Sequence, residues 1–423
     1  MRPRESAGVP PPGEIRIADL ASPRLDDVQR LAVRFGEEHP VDLSERAVLD
    51  AARERTGLDD FGPDDFRARM NLWLDDVNGD ANRSGLGRRM VFDYCVRYAA
   101  NRQRIFDLLD RHPEIHDVGI VAPIIVLGLP RSGTTHLLNL LSADTRLRSS
   151  PLWESYEPVP DRREATDGRR RRAEAAWQQM LMVAPHTAAM HPMDPEHIHE
   201  EIELQGADFA HYQPEWVSFA PRYREWYLGT DQTPHYEFLR TALRILTWQR
   251  GPNRWALKSP QHLEQIGPLL HVFPDATIVM THRDPVSVVQ SAATMMAYAA
   301  RLQYQRVDVA HHLDYWAERI EMLLRASMRD AHLIAPDRRV DVYFHEFMSD
   351  DVATVRRILA TAGLGWDDTV AAQVRARHDE RPRGKHGRVR YDLRADFGTD
   401  PDAIRDAFGF YLSAHPDVRL EVT

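Results

Sequence analysis

The stretch Ile124–Leu141 decides the fold, and it reads IIVLGLPRSGTTHLLNLL. Its first four residues form a short apolar run that is typical of a buried strand, and Gly128 and Gly133 supply turn chemistry after it. From Thr134 onward the leucines recur on one face of a helix. A strand, a glycine-containing loop and a helix in this order predict an anion cradle, because loop amides and a helix N-terminus direct N–H donors at the ligand.

The loop departs in one place from the nucleotide triphosphatase pattern G-x-x-x-x-G-K-[ST]. Thr134 stands where that pattern has lysine, and the positive charge is inside the loop, as Arg131. The missing lysine disfavours hydrolysis of ATP or GTP. An arginine in this position still forms paired hydrogen bonds with a phosphate or sulfate group.

Three further β runs follow the loop, and they end near Lys258, Thr281 and Phe344 with helical stretches between them. This alternation predicts an α/β fold, a P-loop-like parallel sheet flanked by helices. Arg131, Lys258 and Arg283 each come just after a predicted strand. Ligands of such sheets bind beyond the carboxyl ends of the strands, so we expect the three cations in one crevice.

The chain divides by pattern into a helical N-terminal region, residues 1–115, and an α/β domain, residues 116–423. Asp42 and Glu45 predict a capping box for a helix over residues 43–55. No chemical motif occurs in the helical region. Packing, oligomerisation into a homo-oligomer and coverage of the substrate cleft are its three open roles.

Composition narrows the classes of function. The formal net charge of −10 argues against a nucleic-acid surface. Cys95 is the only cysteine, so an intrachain disulfide and a cysteine-based zinc site are excluded. The sequence contains no run of 18 or more apolar residues, so it predicts no transmembrane helix. The N-terminal residues lack the apolar core of a signal peptide. We therefore predict a cytoplasmic protein.

The Pro-Arg-Ser-Gly-Thr-Thr string resembles the 5′-phosphosulfate-binding loop of the sulfotransferases that use 3′-phosphoadenosine 5′-phosphosulfate (PAPS). It is most similar to the tyrosylprotein-type and bacterial branches, and the resemblance extends over residues 124–410. It implies PAPS as sulfuryl donor, adenosine 3′,5′-bisphosphate as product and no metal. The residues that it assigns to the 5′-phosphosulfate are Arg131, Ser132, Gly133, Thr134 and Thr135.

The same resemblance assigns the 3′-phosphate to an arginine after a strand and a serine eight residues later. Arg283 and Ser291 have that spacing. The tail RPRGKHGRVR, residues 381–390, is similar to the glycine-containing basic loop that covers the 3′-phosphate in the family. Arg383, Lys385 and Arg388 are the residues carried over from that loop.

Sulfuryl transfer is an in-line displacement, in which an acceptor hydroxyl attacks sulfur while the phosphate oxygen leaves. Arg131 and Lys258 suit the stabilisation of the developing negative charge. A general base must also take the acceptor proton. Cytosolic family members use a histidine two residues after a strand-end lysine, where this chain has Pro260.

Three general-base candidates therefore stay open. Glu154 follows the loop arginine at about the spacing of the glutamate in the tyrosylprotein branch, His262 lies two residues beyond Pro260, and Glu200 belongs to an acidic segment. A His/Glu cluster over residues 191–203 lacks the H-E-x-x-H spacing, so we predict no metal there.

The acceptor is an unidentified small molecule or glycan, and lipids, sterol-like compounds, phenols and sugars are all open. Two other functions are consistent with a nucleotide cradle. One is a P-loop kinase or phosphohydrolase, which would need the missing lysine. The other is a non-catalytic nucleotide-binding scaffold, which loss of the cationic pair would favour, whereas Arg131 and Lys258 are both present.

Overall fold

The computed structural model describes residues 13–251, 253–380 and 385–421. Its centre is a five-stranded parallel sheet, with a separate two-stranded parallel pair. The strands are β1 (Glu14–Arg16), β2 (Ile124–Gly128), β3 (Leu147–Arg148), β4 (Arg254–Lys258), β5 (Thr277–His282), β6 (Arg339–Tyr343) and β7 (Arg388–Arg390). The order in the large sheet is β3-β4-β2-β5-β6, and β1 pairs with β7.

The helices lie on both faces of the large sheet and in the N-terminal region. The α-helices are α1 (Asp27–Glu38), α2 (Glu45–Thr56), α3 (Phe66–Gly79), α4 (Gly85–Arg111), α5 (Thr134–Leu141), α6 (Leu152–Tyr156), α7 (Arg169–Val183), α8 (Thr187–Met190), α9 (Ile202–Gln205), α10 (Gln213–Val217), α11 (Pro221–Gly229), α12 (Thr233–Arg250), α13 (Ile266–Val272), α14 (Pro285–Gln303), α15 (Val309–Asp330), α16 (Phe344–Ser349), α17 (Asp351–Thr361), α18 (Asp368–Glu380), α19 (Leu393–Phe397), α20 (Pro401–Ala407) and α21 (Gly409–Ala414). Short 3₁₀ helices span Pro113–Asp117, Gly206–Asp208, Pro260–Glu264, Ala331–Leu333 and Pro336–Arg338.

Strand β2 is the centre of the sheet because it is apolar on both faces. Every residue of β2 is buried. Ile125 and Leu127 belong to one hydrophobic cluster and Ile124 and Val126 to another, so successive side chains feed two cores on opposite sides. The predicted α/β class with a parallel sheet covered by helices is confirmed.

The register of the sheet brings the strand ends together. Gly128, the last residue of β2, pairs with Thr281 of β5, and Val126 pairs with Lys258, the last residue of β4. The segments that follow β2, β4 and β5 therefore leave the sheet at neighbouring positions on one edge.

The N-terminal helices form where the pattern predicts them, with one error at a cap. Helix α2 begins at Glu45, and the Ser44 hydroxyl accepts the Ala47 amide at 3.3 Å. The predicted capping box with Asp42 is therefore wrong, because the helix starts two residues later and a serine stands at its cap position.

The core of the helical region is shared with later parts of the chain. Trp73 of α3 and Tyr98 of α4 pack in one cluster with Phe209 and Tyr223. The division at residue 115 stays a proposal. Within the residues that the structure describes, no helix has the length and apolar character needed to cross a membrane.

Candidate active site

The loop after β2 turns sharply beneath the neighbouring strand. A Cβ atom on Gly128 would lie 1.9 Å from Thr281 Oγ1, so only glycine fits there. The Ser132 hydroxyl donates to the Leu129 carbonyl at 2.6 Å and lies 2.8 Å from Thr281 Oγ1. Arg131 (φ +67°) and Gly133 (φ +84°) are left-handed, which brings the loop back to the start of α5.

Arg131 points from this loop toward α14. Its Nε donates to the Ser291 hydroxyl at 2.9 Å, and its guanidinium also donates to the Met190 carbonyl. The resemblance assigned Arg131 and Ser291 to different phosphate groups of one nucleotide. Their direct contact brings the two predicted subsites to one place.

Lys258 reaches the other end of the loop from β4. Its Nζ donates to the Thr135 hydroxyl at 3.3 Å and pairs with the Glu200 carboxylate. The lysine side chain is only 2 % exposed, against 13 % for Glu200. A buried ammonium at the start of α5 adds positive charge where the helix N-terminus already favours an anion.

His191 is the neutral member of this group. Burial lowers its pKa to about 4; the Glu200 carboxylate opposes the shift, and the charges on Lys258 and Arg131 add to it. The imidazole is therefore uncharged at neutral pH. Because the charges of Glu200, Lys258 and Arg131 all act on its pKa, His191 lies close to these three residues.

Arg283 follows β5 and faces the loop from the other side. Its guanidinium donates to the Arg131 carbonyl and lies 4.0 Å from the centre of the Phe344 ring. It also binds the Glu421 carboxylate with two hydrogen bonds, of 2.6 Å and 2.7 Å. A cavity of about 340 Å³ beside this pair is lined in part by Arg283, Phe344 and His345.

The three base candidates have different surroundings. His262 is wholly buried, with Nε2 2.5 Å from a Glu201 oxygen and Nδ1 2.7 Å from the Tyr236 hydroxyl. Both of its ring nitrogens are therefore engaged. Glu200, in contrast, is partly exposed and contacts Lys258.

Glu154 is wholly buried in α6. Its Oε1 accepts from Arg148 at 3.2 Å and from Arg250 at 3.0 Å. Arg148 in turn lies 4.6 Å from the centre of the Trp255 ring. Glu154 thus joins the short edge strand β3 to α12 through two arginines.

These contacts bring the glycine loop, the N-terminus of α5 and the cations at or just after the ends of β2, β4 and β5 close together. A family model of the sulfotransferase family matches residues 123–368 of the chain. The chain belongs to the sulfotransferase family. It is accordingly a transferase enzyme, as the loop sequence predicts.

Solved sulfotransferases share the fold over nearly the whole chain. Sulfotransferase STF9 from Mycobacterium avium is 26 % identical with a TM-score of 0.80, and the alignment covers 90 % of this chain and 99 % of STF9. Sulfotransferase STF1 from Mycobacterium tuberculosis is 25 % identical with a TM-score of 0.77, covering 87 % of this chain and 98 % of STF1. No curated protein sequence matches the chain.

The basic segment of this sulfotransferase is described only in part. Arg383 lies outside the described residues. Lys385 and Arg388 are exposed, and Arg388 begins strand β7, which pairs with β1 and contacts α8. Since α8 ends at Met190, whose carbonyl binds Arg131, strand β7 lies near the loop.

Two site features had no adequate signal in the sequence. Glu421 stands near the end of the chain in no motif, and its pairing with Arg283 spans 138 positions. The sequence also does not distinguish Glu200 from its neighbour Glu201, because both belong to one acidic run. Glu201 nevertheless accepts the Lys258 backbone amide at 2.8 Å and holds His262, whereas Glu200 faces the lysine side chain.

Proposed function

We propose that this sulfotransferase moves a sulfuryl group from PAPS to an acceptor hydroxyl by in-line displacement. The observation that carries the proposal is the convergence of Arg131, Lys258 and Arg283 on one loop from three adjacent strands. Such a site suits a ligand with several anionic groups better than one with a single charge.

The donor would lie along the loop. Loop residues 131–135 would hold the 5′-phosphosulfate, with Lys258 at the transferred group. Arg283 and Ser291 would hold the 3′-phosphate, and Arg383, Lys385 and Arg388 would cover it from the segment after α18. The Glu421 carboxylate on Arg283 supports this assignment, because it shows that the guanidinium presents a two-pronged face to an anion.

Glu200 is our choice of general base. It is the one of the three candidates that contacts Lys258, and its partial exposure lets an acceptor hydroxyl reach it. His262 has both ring nitrogens engaged, and Glu154 is enclosed with two arginines. When Lys258 turns to the sulfuryl oxygens, the Glu200 carboxylate is released to accept the proton.

The donor site is tested by calorimetric titration with adenosine 3′,5′-bisphosphate. We expect Arg283→Ala to weaken binding by about tenfold or more, the effect of losing a charged hydrogen-bond pair. Arg306→Ala removes the same charge from an exposed position outside the crevice and is the matched control. Binding of ATP with magnesium, but not of the bisphosphate, would overturn the proposal in favour of a kinase.

The base is tested by comparing Glu200→Gln with the wild type in sulfuryl transfer from radiolabelled PAPS to a panel of phenols, sterols, sugars and lipids. Hydrolysis of PAPS is a second readout, which needs no acceptor. We expect turnover to fall about 100-fold with unchanged affinity for the bisphosphate. Glu196→Gln, whose carboxylate pairs with Arg170, is the control. Full turnover in Glu200→Gln would exclude Glu200 as the base.

A further inference from the structure

Three side chains outside the proposed transfer site meet where three helices come together. His136 lies in α5, one residue after the loop, and Asp351 is the first residue of α17. His378 lies near the end of α18. No strand or loop motif predicts this meeting, because the three residues are far apart in the chain.

The polar atoms of this cluster face one point. His136 Nε2 is 2.8 Å and His378 Nδ1 is 2.9 Å from the same oxygen, Oδ2 of Asp351. All three atoms lie within 4.8 Å of one another. Among residues 13–251, 253–380 and 385–421 this is the one group of three or more histidine, cysteine or acidic side chains arranged so closely.

Two imidazole nitrogens and one carboxylate oxygen are a ligand set that zinc favours. Ligand atoms of a tetrahedral zinc stand roughly 3.3–3.6 Å apart, given bonds of about 2.0–2.2 Å. The cluster has that scale, and only small side-chain movements are needed. The His378 side chain is 43 % exposed, so it can adjust and leaves room for a water as fourth ligand.

We propose that His136, Asp351 and His378 form a zinc site. Each neutral imidazole would carry its proton on the other ring nitrogen, Nδ1 of His136 and Nε2 of His378, and turn its lone pair to the ion. The Asp351 carboxylate would supply the negative charge. The site is separate from the transfer chemistry, which needs no metal, and the inference does not rest on the proposed donor.

The position of the site gives it a structural role. His136 belongs to the helix that carries the loop at its N-terminus, and α18 ends at Glu380, just before the basic segment that holds Lys385. A zinc ion would join these two helices to α17. It would therefore fix where the basic segment starts relative to the loop.

The test uses the full chain without a histidine tag, stripped with a chelator and titrated with Zn²⁺ by calorimetry. Co²⁺ serves as a second probe, because its visible absorption reports tetrahedral coordination. His378→Gln keeps a side-chain N–H for Asp351 but loses the imidazole ligand. Asp351→Asn removes the charge. His332→Gln, an exposed histidine bonded to a backbone carbonyl, is the matched control.

We expect one Zn²⁺ per chain in the wild type and the control. Affinity should be weaker by at least about tenfold in both cluster variants, since losing a direct ligand costs no less than losing a supporting one. Circular dichroism verifies folding. If Asp351→Asn does not fold, the half-exposed His378→Gln decides alone. Absence of stoichiometric binding to the wild type, or unchanged affinity in His378→Gln, would overturn the site.

Discussion

Glu421 pairs with the Arg283 guanidinium, which we assign to the 3′-phosphate, and the pair should therefore weaken nucleotide binding by a definite amount. The pair has two hydrogen bonds, of 2.6 Å and 2.7 Å. A bound phosphate would need the same face of Arg283, so the carboxylate and the nucleotide compete. Glu421→Gln keeps the size of the side chain and removes its charge, and we expect it to bind adenosine 3′,5′-bisphosphate more tightly than the wild type.

The magnitude follows from the exposure of the pair. The Arg283 side chain is 19 % exposed and that of Glu421 is 31 % exposed, so solvent screens much of their attraction. Exposed ion pairs of good geometry stabilise by up to about 1 kcal/mol. Releasing that energy converts to about fivefold tighter binding. The gain should shrink as salt is added, because salt screens a charge pair that solvent reaches.

Calorimetric titration of wild type and Glu421→Gln at low and high salt measures both effects. Glu346→Gln makes the same charge change at an exposed position in the neighbouring helix α16 and is the control. Unchanged or weaker binding in Glu421→Gln would refute the competition and show that Glu421 positions Arg283 instead. Failure of Arg283→Ala to alter binding would refute the subsite itself, so the two failures are distinguishable.

Three predictions concern stability. Gly128→Ala would place a methyl group 1.9 Å from Thr281 Oγ1 and should lower the free energy of unfolding by about 2 kcal/mol in urea titration; an unaltered midpoint would contradict the close fit. His262→Ala leaves the buried Glu201 carboxylate with the Lys258 amide but without its imidazole partner and should cost about 3 kcal/mol by the same assay, whereas a stable variant would refute a structural role. Burial lowers the pKa of His312 to about 4, so below about pH 6.5 the unfolded chain binds a proton that the folded chain does not. The free energy of unfolding should therefore fall by up to about 3 kcal/mol as the pH drops toward 4. His312→Gln should flatten this pH dependence, and an unchanged pH dependence would refute the contribution of His312.

The local elements of the site could be predicted because their causes are local. An apolar run followed by glycine and a leucine-lined helix specifies strand, loop and helix without reference to the rest of the chain. Parallel strands then place Arg131, Lys258 and Arg283 at one edge, since each follows a strand end. Topology alone thus brings distant cations together.

The partners of those cations depend on tertiary packing and gave no such signal. The Arg283–Glu421 pair spans 138 positions and the His262–Glu201 pair 61 positions. No periodicity connects residues so far apart. The capping error at Asp42 is the same limitation on a small scale, because a helix can begin at any of several adjacent polar residues and packing selects one.

Three glutamates show why residue type and spacing left the general base open. Glu154 has the spacing of a family base, yet it is enclosed with two arginines. Glu201 adjoins Glu200 in the sequence, yet it is bound to a backbone amide and a buried histidine. A base has to reach the acceptor, take a proton and keep its charge beforehand. Of the three, only Glu200 contacts the Lys258 ammonium and is partly exposed, so our proposal of Glu200 as the base depends on surroundings that no spacing rule contains.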